Sequence, residues 1–303
     1  MRYGLSGMHS RTIQCDRRVP ELYCPSLHRA LSFLRQDKGH QHFEIISQKW
    51  YATHAPDALP IAFPAGTGVE RWIDGRRKGR QRNDILKLLF GTPYDARRER
   101  ADEVRAREKG EHVFVRGLIE FSNRCERNCR YCGLRSANPS LKRYRLDEAQ
   151  IVEAAERAVA FGVDTLVLQS GEVHDEPQRI AHVVDALRTR FPVAVTLSVG
   201  EQPTASYALW KEAGASRFLL KHETADASLY AALHPGYTLA QRVDALQRLR
   251  RAGYEIGSGF IVGVPGQRPE TLADDILLAR ELPVDMCGAG PFIPHADTPF
   301  GHD

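Results

Sequence analysis

The chain has 303 residues, 42% of them hydrophobic, and its 42 Lys and Arg against 38 Asp and Glu leave a formal charge of only +4. That length supports one large core or two modest ones and excludes a fibrous or wholly disordered chain, while the charge balance demands no polyanionic partner. No apolar run approaches the ~20 residues of a membrane span and no secretory leader opens the chain, so a cytoplasmic address without membrane attachment is expected.

Residues 1 to 82 form an N-terminal segment of no assigned role and no sustained period, and the stretch from His54 to Gly68 is full of Pro, Ala and Gly. The basic run Arg76 to Arg82 reads as a solvated linker. From residue 83 the pattern sharpens: Ile85, Leu86, Leu88 and Leu89 predict a short apolar helix, and Asp95 to Lys109 a charged helix closed by Gly110. A first strand follows over Val113 to Phe121.

Strand and helix signals then alternate. Ile151, Ala155 and Val159 mark a helix before the strand Thr165 to Leu168, and Ile180, Val183, Val184 and Leu187 one before Val193 to Ser198. Tyr207 to Ala213 is a helix before the fourth strand, Arg217 to Leu220, and Leu239, Val243 and Leu246 mark the next helix. A glycine-rich strand from Tyr254 to Val262, a helix from Pro269 to Leu282 and a sixth strand from Asp285 to Ile293 complete the series. Six apolar strands with intervening amphipathic helices predict an α/β fold with a parallel sheet covered on both faces. No Gly-x-Gly-x-x-Gly follows the first strand, so a partial (β/α) barrel of the TIM type is favoured over an open dinucleotide-binding sheet.

Six cysteines are too few for a disulfide scaffold of this length. Cys15, Cys24 and Cys287 are scattered and read as inert thiols, whereas Cys125, Cys129 and Cys132 cluster where the first strand ends, on the rim where barrel enzymes place their sites. Three thiolates at this spacing can wrap a 4Fe-4S cubane, saturate three irons and leave the fourth open to a cofactor. Spacing alone leaves zinc as an alternative, with His112 or His174 as a fourth ligand. A non-catalytic zinc module whose basic run contacts nucleic acid is the corresponding rival function.

The C-x3-C-x2-C spacing with Tyr131 before the last cysteine resembles the signature of the radical S-adenosylmethionine (SAM) superfamily. Within it, Glu120 to Cys125, Tyr131 to Arg135, Leu168 to Glu172, His222 to Ala225 and Gly290 to His295 resemble, in order, the FeFe-hydrogenase maturase family HydE. The resemblance implies a cluster whose open iron chelates SAM and cleaves it reductively to a 5'-deoxyadenosyl radical. It also implies that Gln169, Ser170 and Glu172 meet the methionine amino group, that Glu223 holds the ribose hydroxyls and that Arg242 meets the SAM carboxylate. Thr196, Ser198 and Lys221 would line the cavity wall, Lys221 standing where an Arg is usual, and Met286 would pack near the adenosine. The glycine-rich strand to Gly266 resembles the stretch that lines the adenine, although a bulged strand and a turn explain it equally.

The implied substrate is small, or an organometallic iron complex. The implied partners are an electron donor of ferredoxin or flavodoxin type and other hydrogenase maturation proteins. Methylornithine synthase and biotin synthase have similar cysteine loops and remain the enzyme alternatives. The family continues past the sixth strand, whereas this chain stops at Asp303, so about six of eight barrel units, an unclosed sheet and weak or no turnover are expected.

Overall fold

Runs such as Thr165-Leu-Val-Leu168 and Val193-Ala-Val-Thr-Leu197 are rich in β-branched and apolar residues, so they form strands that need cover on both faces. The amphipathic segments between them supply that cover. The computed structural model describes residues 45–47, 78–110, 113–174, 176–282 and 284–301. Most of the N-terminal segment, including Cys15 and Cys24, lies outside the described residues.

Six strands run parallel and in sequence order: β2 (Val115–Ser122), β3 (Thr165–Ser170), β4 (Ala194–Ser198), β5 (Ala215–Leu219), β6 (Glu255–Val262) and β7 (Met286–Pro291). They form the half-barrel expected from the sequence. A three-residue strand, β1 (Ile45–Ser47), pairs antiparallel with the outer edge of β2. The helices are α1 (Lys78–Leu86), α2 (Tyr94–Lys109), α3 (Glu148–Ala160), α4 (Pro177–Arg190), α5 (Thr204–Glu212), α6 (Ala227–Leu233), α7 (Leu239–Arg251) and α8 (Pro269–Glu281), of which α3, α4, α5, α7 and α8 pack on the strands. Among the described residues no helix is long and apolar enough to cross a membrane.

Local chemistry starts these helices where they are needed. Asp147 with Gln150 and Thr238 with Gln241 form reciprocal capping boxes at the heads of α3 and α7. The main core lies between the strands and helices α3, α4, α5 and α7, where Tyr207, Trp210, Phe218 and Tyr254 pack at ring separations of 5.3–6.4 Å. Such aromatic pairs contribute about 0.5–1.5 kcal/mol each beyond area burial. Val195 and Leu197 of β4 join this core, so Thr196 and Ser198, pointing the other way, face the barrel interior.

Two readings of the sequence are corrected. Lys78 to Arg82 do not form a linker: they open α1, and Arg82 grips Asp274 of α8 with both Nε (3.0 Å) and Nη2 (2.7 Å). Arg and Lys are good helix formers, and a docking carboxylate on α8 completes the case. The apolar helix expected over Ile85 to Leu89 stops at Leu86; Lys87–Gly91 is a π-helical turn that leaves Leu88 and Phe90 exposed. Helix α6 is a further element of the structure, and β5 ends at Leu219, four residues before Glu223.

Candidate metal and cofactor site

The cysteine loop leaves β2 at Ser122 and is pinned from below. Asn123 bonds Lys142 O through Nδ2 (2.9 Å) and accepts from Tyr144 N (2.7 Å). Arg143 reaches across to three carbonyls, those of Asn123, Leu134 and Arg135, at 2.7–2.8 Å. The loop also rests on the end of β3: Glu126 N donates to Glu172 O at 2.8 Å, and a Cβ on Gly171 would lie 2.7 Å from Cys125 Cβ and collide with Arg124 O. Only glycine permits that approach.

This framework brings Cys125, Cys129 and Cys132 together, all partly buried. Burial first, then the charges of Cys132 and Cys125, pushes the Cys129 thiol up to about 12, and burial raises Cys132 as well. As thiolates the three sulfurs therefore repel one another in a poorly solvated corner. A bound cation would offset both costs, which suits the group to a metal cluster.

Helix α6 supplies the other wall. Asp226 caps it by accepting from Ser228 N and Leu229 N at 2.9 Å, and its last carbonyl, Leu233 O, takes the Arg130 N–H of the cysteine loop at 2.9 Å. The next residue, His234, places Nδ1 3.2 Å from Cys129 Sγ, with its ring stacked on Tyr230 (4.5 Å) and edge-on to Tyr131 (5.4 Å). Burial drives the His234 imidazole down to about 3, so it is neutral. Of the two histidines that the zinc alternative names, His112 lies outside the described residues. His174 is turned to Glu126 Oε2 (2.7 Å) and Glu201 O (3.1 Å). Among the described residues no three His, Cys, Asp or Glu form a group able to hold a single metal ion.

A chain of buried charges ties the rim together. Arg127, from within the cysteine loop, bonds Glu172 Oε1 through Nε (2.5 Å) and Glu201 Oε2 through Nη2 (3.1 Å), and lies 3.4 Å over the Tyr237 ring. Arg242 bonds Glu201 Oε1 (2.5 Å) and Lys221 O (2.6 Å). Glu172 also accepts from Glu201 N (2.9 Å), and its side chain packs against Gly200, where a Cβ would come within 2.5 Å of Glu172 Cγ. Burial penalises both Arg242 and Glu172; for Arg242 the neighbouring Tyr230, Glu201, Glu223 and Glu172 outweigh it and raise its pKa. For Glu172 burial prevails and its pKa rises. Two cations alternate with two anions, so the network is internally neutral.

Above it sits Glu223, the one non-glycine residue with positive φ (63°) among the described residues. Its backbone is held there by Glu223 N to Gly259 O (2.9 Å) and Ile261 N to Glu223 O (3.0 Å). Burial raises the Glu223 carboxyl against the opposing pull of Lys221 and Arg242. Glu223 Oε2 and, in β4, Thr196 Oγ1 are buried with no hydrogen-bond partner among the described residues. Strained backbone and an unsatisfied buried oxygen on one residue, Glu223, are marks of a ligand site.

The remaining expected residues divide. Gln169 and Ser198 are register neighbours at the ends of β3 and β4, both half-buried, and Ser170 Oγ donates to Gly171 O (2.7 Å). Lys221, exposed, reaches toward Gly288, with Cε 4.0 Å from where a Cβ there would stand. Met286 is not brought to this rim. It opens β7 opposite Gly257, with Arg116 Nη2 3.8 Å from its sulfur, three residues (~10 Å) before the Phe260 position that bridges Glu223. Gly257 and Gly259 face Leu219 and the Gly288 backbone, so packing accounts for them. Arg127, Glu201 and His234 were missed in the sequence: no local pattern marks them, although Arg127 lies between two of the cysteines.

Comparison with known proteins agrees with this geometry. The chain is 49% identical over 204 residues to the [FeFe] hydrogenase maturase subunit HydE of Thermotoga maritima, covering 67% of this chain and 58% of that protein. It is 28% identical over 225 residues to the 3-methylornithine synthase of Methanosarcina acetivorans, covering 72% of this chain and 64% of that one. The chain thus spans about three-fifths of the length of these curated relatives. The crystal structure of methylornithine synthase (PylB) superposes with a TM-score of 0.68 at 27% identity, over 73% of this chain and 67% of that one. Residues 119–279, more than half of the chain and all of the rim from β2 to α8, match the Radical SAM superfamily model, and the protein belongs to that superfamily.

Proposed function

We propose that this chain works as a radical SAM enzyme in FeFe-hydrogenase maturation, in the manner of HydE. The superfamily's cofactors are a 4Fe-4S cluster and SAM. The observation that carries the reading is the trio of partly buried cysteines on the rim, three donors for a four-iron cube. When bound, the cluster and SAM supply reductive cleavage of a sulfur–carbon bond and with it a 5'-deoxyadenosyl radical.

The chain's own residues bind and orient. Cys125, Cys129 and Cys132 hold three irons. Glu223, buried with an unpartnered oxygen, accepts from ribose hydroxyls, and Thr196 offers a second buried oxygen. Arg242 presents fixed positive charge to the SAM carboxylate from a position set by Glu201. Glu172 is already taken by Arg127 and the Glu201 N–H, so it acts by fixing Arg127, and Gln169 and Ser170 are the acceptors left for the amino group. Ser198 and Lys221 line the mouth toward the substrate, an iron complex with small ligands, and electrons come from a ferredoxin or flavodoxin type donor. Met286 has no part in this reading.

Anaerobic reconstitution with iron and sulfide, followed by SAM and dithionite, tests it. The expected products are 5'-deoxyadenosine and methionine, in weak but measurable yield, lost when all three cysteines are replaced by alanine. Equal yields from the triple variant and the wild type would refute the assignment.

A further inference from the structure

Histidine 234 is two per cent exposed, lies outside the cysteine motif, and is held more firmly than a passing contact requires. Its backbone N–H is tied to Tyr230 O (2.9 Å) as α6 closes, and the preceding carbonyl is tied to Arg130 of the cysteine loop (2.9 Å). Its ring is stacked on Tyr230 and flanked by Tyr131. The outcome of this bracing is Nδ1 at 3.2 Å from Cys129 Sγ, inside the range of an N–H···S hydrogen bond.

A sulfur bound to iron has no proton to give and can only accept, so the tautomer in contact with it carries its proton on Nδ1. Nε2, buried with no partner among the described residues, is then the bare acceptor. An N–H dipole aimed at a cluster sulfur favours the electron-rich, reduced cluster over the oxidised one. We propose that His234 is a positioning residue that donates Nδ1–H to the Cys129 thiolate and raises the reduction potential of the cluster. The proposal rests on the cluster assignment made above.

The test is an EPR-monitored redox titration of reconstituted wild type, His234→Leu and His234→Asn, without SAM. Asparagine carries an N–H donor at the same branch of the side chain, whereas leucine fills the space with no donor. In the leucine variant the reduction equilibrium is expected to weaken about tenfold, a shift of about 59 mV to more negative potential for a one-electron couple. The asparagine variant should recover at least half of that shift. Leucine and wild-type clusters of equal potential, or equal shifts in both variants, would overturn the proposal. Wild type labelled with heavy-nitrogen histidine reads the same contact without substitution. Pulsed EPR of its reduced cluster should show a histidine nitrogen coupling, and its absence would overturn the proposal even if the leucine variant failed to load. A wild type with no cubane signal would instead sink the cluster assignment itself, and this inference with it.

Discussion

Gly171 carries no functional group, yet it sets how closely the cysteine loop approaches the end of β3. Replacing it with alanine would press a methyl group on Cys125 Cβ and Arg124 O, so Gly171→Ala should keep the fold at a cost of about 1–3 kcal/mol and lose cluster loading several-fold. Iron and acid-labile sulfide per chain, measured beside a thermal melt, check this; full loading would show that the loop has slack. The three cysteines were legible in the sequence because a cluster-binding loop is local, its spacing written in eight consecutive residues. Glu223 and Arg242 were found only through resemblance. His234 was legible by neither route, because 105 positions separate it from Cys129 and only the folded chain joins them.

Among elements, the cysteine loop, the loops after β3 and β4 and helix α7 meet in the Glu172–Arg127–Glu201–Arg242 chain. Both ends of the Arg127–Glu172 pair are 6% exposed, so removing one partner strands a buried charge. Arg127→Met should lower unfolding free energy by about 3–5 kcal/mol, and adding Glu172→Gln should return part of it. Denaturant melts of the two variants decide this, and a loss below ~1 kcal/mol would place the network in solvent.

Asp275 of α8 braces the segment after Glu223, accepting from Ala225 N (2.5 Å) and Gln267 Nε2 (3.0 Å). Burial, aided by the neighbouring Asp274, raises it to about 7 despite those donors. A carboxyl whose folded pKa lies above its ordinary 3.8 contributes stability at low pH and loses it as pH climbs through 7. Asp275→Asn should therefore gain stability relative to wild type between pH 5 and pH 8, by roughly a few kcal/mol. A difference in melting temperature that is flat across that range would contradict it.

At the scale of the whole molecule, the six parallel strands and their order were readable because buried strands of a parallel sheet are continuous apolar runs and their helices have a clear period. Helix α6 was not. Its seven residues are too short for periodicity, and it is fixed by Asp226 at one end and by the cysteine loop at the other. The basic run that opens α1 was misread for a related reason: charge alone cannot distinguish a solvated linker from a helix whose arginine docks on Asp274. In both cases the missing information was a partner far away in sequence.

The rim trio must bind a cubane with one accessible iron for any of this chemistry to occur. EPR of the anaerobically reconstituted, reduced protein, recorded before and after adding SAM, addresses that directly. A reduced 4Fe-4S signal that changes shape with SAM is the predicted result. A protein that shows no such signal, or one whose signal SAM leaves untouched, would contradict it.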